Sequence, residues 1–191
     1  MALKSLLMGA AAVATISTVS CSDPVPPPSQ GGAYVEINAA PAGVTPAGRK
    51  CSIQGHSAQI GNPPPSGSSP GKRVVDGEGG ASVSCRVSKS GGGYKFNGTA
   101  QHNKVTFYVN GEVTSGAGTA KVTTYDPTSL ATLGNPSDTP CEVTVTEPLQ
   151  VASGRIWAAF KCPAFVDISQ PDGPLFCEAE AGWFVFENCD E

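Results

Sequence analysis

From Gly93 to Tyr125 the chain alternates apolar and polar residues with period two, and short turn segments interrupt the alternation at regular intervals. Side chains of a strand point to opposite faces in succession, so this pattern builds a sheet with one buried face. Ser90-Gly-Gly-Gly93 leads into Tyr94–Ala100. His102-Asn103 turns the chain into Lys104–Val113, and Ser115-Gly-Ala-Gly118 leads on to Thr119–Tyr125. Consecutive hairpins of this kind make a meander, filled here with the Thr, Val, Tyr and Phe that suit a pleated, half-buried surface.

The same period is present elsewhere. Tyr34–Asn38 is a predicted first strand; in Lys50–Gln54, Cys51 and Ile53 share a face; in Ala81–Lys89, so do Ala81, Val83, Cys85 and Val87. Cys141–Glu147 and Arg155–Cys162 alternate in matching phase. Folding them about the Pro148–Gly154 segment sets Glu142 opposite Lys161, Val143 opposite Phe160 and Cys141 opposite Cys162. Pro163–Phe176 reads as a Pro- and Asp-rich loop, and the aromatic run Gly182–Glu187 as a buried central strand. The segment 62–70, with four prolines, reads as a loop that cannot join a ladder. One short connecting helix is predicted at Asp126-Pro127, where an N-cap acceptor precedes a proline, Leu130 and Leu133 are three apart, and Gly134 can stop the turn.

The expected fold class is therefore all-β: an antiparallel sandwich or flattened barrel of about eight or nine strands, disulfide-stapled, with at most one short helix. Residues 33–191 are enough for one domain. Charged residues make up 15% of the chain, and 23 Gly and 17 Pro require many loops. The formal net charge is −4, with no block of either sign. Nucleic acid, which rewards clustered Lys and Arg, is therefore not an expected partner.

Seven cysteines divide unequally: Cys21 closes a short apolar N-terminus, and the other six lie beyond residue 50. Lys4 precedes the uncharged run Ser5–Val19, which is too short to span a bilayer; that takes roughly 20 residues. It reads as a signal peptide over residues 1–20. The following stretch, through Gly32, is rich in Pro, Gly and Ser and reads as an extended tether over residues 21–32. Setting Cys21 aside leaves an even six, Cys51, Cys85, Cys141, Cys162, Cys177 and Cys189, expected to pair as disulfides in an oxidising compartment. Sequence does not choose among the pairings. The favoured set is Cys51–Cys85, Cys141–Cys162 and Cys177–Cys189; the alternative keeps Cys51–Cys85 and adds Cys162–Cys177 and Cys141–Cys189.

Thr18-Val-Ser-Cys21 resembles the lipobox of bacterial lipoproteins, with Ser20 as the small residue and Thr18 where leucine is usual. The resemblance implies lipidation of Cys21 by a diacylglyceryl group and further acyl chains such as palmitate. Two or more acyl chains hold a soluble domain stably at a membrane. Ser22 after the cysteine resembles the outer-membrane sorting pattern of enteric bacteria. Gly79-Gly-Ala-Ser-Val83 followed by Tyr94-Lys-Phe-Asn-Gly-Thr-Ala100 resembles small mycobacterial lipoprotein antigens, which implies a tether and a mostly β domain. The four C-terminal cysteines depart from that family. The ending Phe186-Glu-Asn-Cys-Asp190 resembles that of exported bacterial lipoproteins, which implies the same location.

Signals of chemistry are few. A nucleophile needs a base within hydrogen-bond reach, and only His56 and His102 supply imidazole. His102 falls in a predicted turn and His56 follows Gly55 at a predicted bulge. Ser66-Gly-Ser-Ser69 lacks the Gly-x-Ser-x-Gly form. No two cysteines are close enough for a zinc knuckle, and Asp76-Gly-Glu-Gly-Gly80 reads as a turn lacking the further ligands of a calcium loop. No catalytic residue, metal or cofactor is therefore expected. Trp157, on the strand face opposite Ile156 and Phe160, is the candidate ligand platform. The expected function is that of an exported, lipid-anchored binding or structural module of the cell envelope, with a protein or glycan partner. The alternatives are a hydrolase using Asp167 and Asp172, whose carboxylates would have to meet in one cleft, and a lipid carrier with a cavity between its sheets.

Overall fold

The computed structural model describes residues 25–61, 71–129, 131–145 and 150–191. Cys21 and the leader before it, Ser22, the proline-rich stretch 62–70 with Ser66–Ser69, Leu130 and residues 146–149 lie outside the described residues. Among the described residues there is no helix, and twelve strands form one antiparallel sheet. They are β1 Gln30–Asn38, β2 His56–Ile60, β3 Val74–Val75, β4 Ser82–Ser90, β5 Gly93–His102 and β6 Val105–Thr114. They continue as β7 Ala117–Tyr125, β8 Thr132–Gly134, β9 Cys141–Thr144, β10 Gln150–Ala152, β11 Arg155–Asp167 and β12 Cys177–Glu187. The count exceeds the predicted eight or nine because β3, β8 and β10 have two or three residues each, too few to display a period.

The main path of the sheet is β2-β1-β12-β11-β8-β7-β6-β5-β4, and both β8 and β9 fill the gap between β11 and β7. The β4–β7 meander follows the predicted hairpins, with Val83, Cys85 and Val87 all turned inward. β9 and β11 pair in the predicted register, Glu142 opposite Lys161 and Val143 opposite Phe160. β12 is central, between β1 and β11, as its aromatic run requires.

The sheet folds back on itself around a cluster of phenylalanines. Phe184 of β12 lies 5.6–6.1 Å, centroid to centroid, from Phe96, Phe107, Phe160 and Phe186. Such tilted contacts add to the burial of large apolar rings. Glycines make room for them: a Cβ on Gly182 would intrude on the Phe160 ring, and one on Gly98 would sit 2.5 Å from Phe186. β4 then crosses the ends of the other layer. Val83 lies against Gly31 of β1, Cys85 is bonded to Cys189 just beyond β12, and the Val87 carbonyl accepts from the Gly154 amide in the β10–β11 turn.

That crossing corrects the expected disulfides. The bonds are Cys51–Cys177, Cys85–Cys189 and Cys141–Cys162, so of the favoured pairs only Cys141–Cys162 is present. Cys51 does not stand on a strand beside Cys85: residues 52–55 form turns, Gly55 takes a positive φ of 77°, and the next strand begins at His56. An isolated bridge from Lys50 to Leu175 carries Cys51 to Cys177 instead. Two of the bonds close spans of 126 and 104 residues and the third only 21. In the chain-entropy view the long spans contribute about 5 kcal/mol each and the short one about 3 kcal/mol.

Three further expectations change. Gln30–Gly32, read as the end of the tether, belong to β1, because Gly31 and Gly32 fit closely against Phe186 and Val185. The predicted helix after Asp126 is a turn, since the carboxylate accepts from the Thr128 amide and hydroxyl and Thr132–Gly134 pair as β8. β11 runs through Pro163 to Asp167, shortening the expected loop. Register shifts on either side of Cys162 accommodate the proline, which is exposed.

Candidate functional site

Two places bring together chemistry-bearing side chains. The first is the outer face of β1, β12 and β11. Trp157 points away from the core that holds Ile156 and Phe160, as its alternation predicts, but it is not open to solvent. Trp157 and Trp183 are 8% and 7% exposed and pack with Val185 and the half-buried Tyr34. Among the described residues the Trp183 indole N–H has no acceptor.

Beside this cluster, Asn38 donates to Glu36 at 3.3 Å and to Glu180 at 3.1 Å. Burial raises the Tyr34 phenol above its ordinary value, and the charge of Glu36 adds to the effect. Burial likewise raises Glu178, with Glu180 adding and Lys161 opposing. The face is thus aromatic at its centre and acidic at one side.

The second place is an open pocket of about 300 Å³ lined by Ile53, Gln54, Gly55, His56, Thr128 and Ser129. The Gly55 amide donates to the Ile37 carbonyl at 2.8 Å, which fixes the entry to β2 and places His56. The His56 Nε2 lies 3.4 Å from Asp126 Oδ1 and 3.3 Å from Thr128 Oγ1. Burial pushes the Asp126 carboxyl up, but the Thr128 hydroxyl and amide together with His56 outweigh it and hold it below its ordinary value. Asp126 is therefore an anion and accepts only, so the Thr128 proton points to the carboxylate. A nucleophilic hydroxyl would have to give that proton to imidazole. The arrangement fixes a turn, and His56 presents the rest of its ring to the pocket.

Asp126 and Thr128 escaped the reading of functional residues because Asp-Pro is equally the start of a helix and of a turn. The sequence separation of 70 between His56 and Asp126 offered no local clue to their contact. His102 ends β5 opposite Val105 and does not line this pocket. Asp167 accepts from the Ser169 amide at 2.9 Å and hydroxyl at 2.7 Å, while Asp172 is exposed. Asp76 accepts from the Val83 amide at 2.8 Å and so closes the 76–80 turn. Among the described residues no three His, Cys, Asp or Glu side chains gather as metal ligands. Comparison with protein-family models, with characterised proteins and with solved structures yields no match.

Proposed function

We propose that this is an exported, lipid-anchored protein of the bacterial cell envelope whose β domain serves as a binding or structural module. The observation that carries the reading is cysteine accounting. Three disulfides take up every cysteine beyond residue 50, and Cys21 is the one thiol left for a lipid. Disulfides of this kind are consistent with an oxidising, exported environment.

The placement of the N-terminal segment agrees with a tether. The Pro28 carbonyl accepts from Asn188 at 3.0 Å and the Ser29 hydroxyl donates to the Asn188 carbonyl at 3.1 Å, so the chain enters the domain beside its C-terminal residues. β1 then runs about 30 Å to the end that carries the His56 pocket, at roughly 3.3 Å per residue. An anchor at Cys21 would leave that pocket, and the loops around it, turned away from the membrane toward a partner.

The two alternatives draw less support. A hydrolase centred on Asp167 and Asp172 would use a carboxylate already engaged by Ser169. A lipid carrier would need space between the layers where the five phenylalanine rings meet. Growth of a bacterial host expressing the full chain with an alkyne analogue of palmitate tests the anchor. The wild type is expected to take the label and the Cys21→Ala variant to lose it; an unlabelled wild type refutes the reading.

A further inference from the structure

The six paired cysteines differ in how far a reagent can reach them. Cys85 and Cys189 are 6% and 9% exposed, and Cys141, Cys162 and Cys177 at most 1%, whereas Cys51 is only half-buried. Thiol–disulfide exchange starts with a thiolate attacking a sulfur it can reach. Cys177 is 0% exposed, so Cys51 is the more accessible half of the Cys51–Cys177 bond.

The position of Cys51 gives its exchange a consequence. It precedes the turn whose residues Ile53–His56 form one wall of the pocket, while Thr128 and Ser129 form the other. Before it, the chain is fastened without sulfur. The Lys50 amide donates to Pro174 at 2.9 Å, the Phe176 amide donates to Lys50 at 3.1 Å, and Arg49 stacks 5.0 Å over the Phe176 ring. After it, the Gly55 amide holds to Ile37. Opening the bond therefore removes the covalent tie of the Ile53–His56 turn, leaves it held by the Gly55 and His56 amide hydrogen bonds, and keeps the thiols close enough to pair again.

We propose that Cys51 is a thiol-exchange site, at which the dithiol of an oxidoreductase opens the Cys51–Cys177 bond and loosens the Ile53–His56 wall of the pocket. One thiolate of the dithiol attacks Cys51 Sγ and bonds to it. The Cys51–Cys177 bond breaks, and its electron pair leaves on Cys177 Sγ, which takes up a proton because burial disfavours a thiolate. The second thiol of the dithiol, as thiolate, then attacks its own partner sulfur in the mixed disulfide, and Cys51 departs and is protonated. The dithiol ends oxidised to a disulfide and the protein bond ends reduced to two thiols. This chemistry stands independently of lipid on Cys21.

The other two bonds are shielded. Cys85–Cys189 lies under backbone bonds, Val87 amide to Asp190 carbonyl at 2.8 Å and Asp190 amide to Cys85 carbonyl at 3.0 Å, and Cys141–Cys162 lies within the sheet core. The long span closed by Cys51–Cys177 does not protect it, because loop-closure entropy acts on the unfolded chain and exchange occurs in the folded one.

The test is a titration of the folded, full-length wild type with dithiothreitol, followed by alkylation and peptide mass mapping. Cys51 and Cys177 are expected to be alkylated at roughly tenfold less reductant than the other four. Amide hydrogen exchange on that selectively reduced protein is expected to speed up at Ile53–His56 and to stay unchanged in β5 and β6. Reduction of Cys85–Cys189 first, joint reduction of all three bonds, or unaltered exchange at Ile53–His56 would overturn the proposal.

Discussion

Asp126 and Glu178 are carboxyls on opposite sides of the same rule. Asp126 sits below its ordinary value of 3.8: burial opposes ionisation, but Thr128 and His56 favour the anion by more. Its contribution to stability is therefore complete above pH 3.8 and is lost as pH falls through the depressed value. Glu178 sits above its ordinary 4.5, chiefly through burial and then through Glu180. Its contribution is complete below pH 4.5 and is lost as pH rises through the elevated value. Urea unfolding across the acid range should show Asp126→Asn flattening the loss of stability at low pH, and Glu178→Gln flattening a loss on the rising side. The reverse assignment would contradict the packing described for both. Neither role was legible from sequence. Asp126 acquires its partner from β2, and Glu178 is raised by lying half-buried next to Glu180 across the bulge in β1–β12 pairing.

The elements were legible wherever a strand was long and its turn short. β4 to β7 are joined by two-residue turns in which both residues have positive φ: Gly91-Gly92, Asn103-Lys104 and Ser115-Gly116. This turn matches the right-handed twist of the flanking strands and favours Asn-Gly. Lys104, at φ 68°, is the outlier, since an L side chain is strained there. Lys104→Gly relieves that strain, while the added freedom of the unfolded chain returns part of the gain. The net expectation is a stabilisation of about 0.5–1 kcal/mol, read as a higher urea midpoint with an unchanged slope. An unchanged or lower midpoint would show that the twist of the turn carries no strain. Elements failed to be legible where alternation was brief. Lys50–Gln54 alternates over five residues yet turns, because Gly55 and the bridge to Leu175 bend it away from any neighbouring strand. Pro163 was read as a stop, but the bulges beside Cys162 let β11 carry it on an exposed side.

At the scale of the molecule, the two-layer β fold followed from the period, but the closure of the layers did not. Cys141–Cys162 could be read because both cysteines lie on one predicted hairpin, whereas Cys85–Cys189 depends on β4 crossing beyond the end of β12. No local pattern encodes that crossing. The same closure brings Asn188 to Pro28 and Ser29 at one end of the domain, and the opposite end holds the His56 pocket. The proposed reading joins these features: six cysteines closing among themselves outside the cytosol, and Cys21 carrying lipid. The most direct measurement is non-reducing peptide mass mapping of full-length protein extracted from bacterial envelopes. The account predicts an acylated N-terminal peptide at Cys21 and three cross-linked pairs, Cys51 with Cys177, Cys85 with Cys189 and Cys141 with Cys162. An unmodified Cys21, free thiols at Cys85, Cys141, Cys162 or Cys189, or a different set of pairs would contradict it.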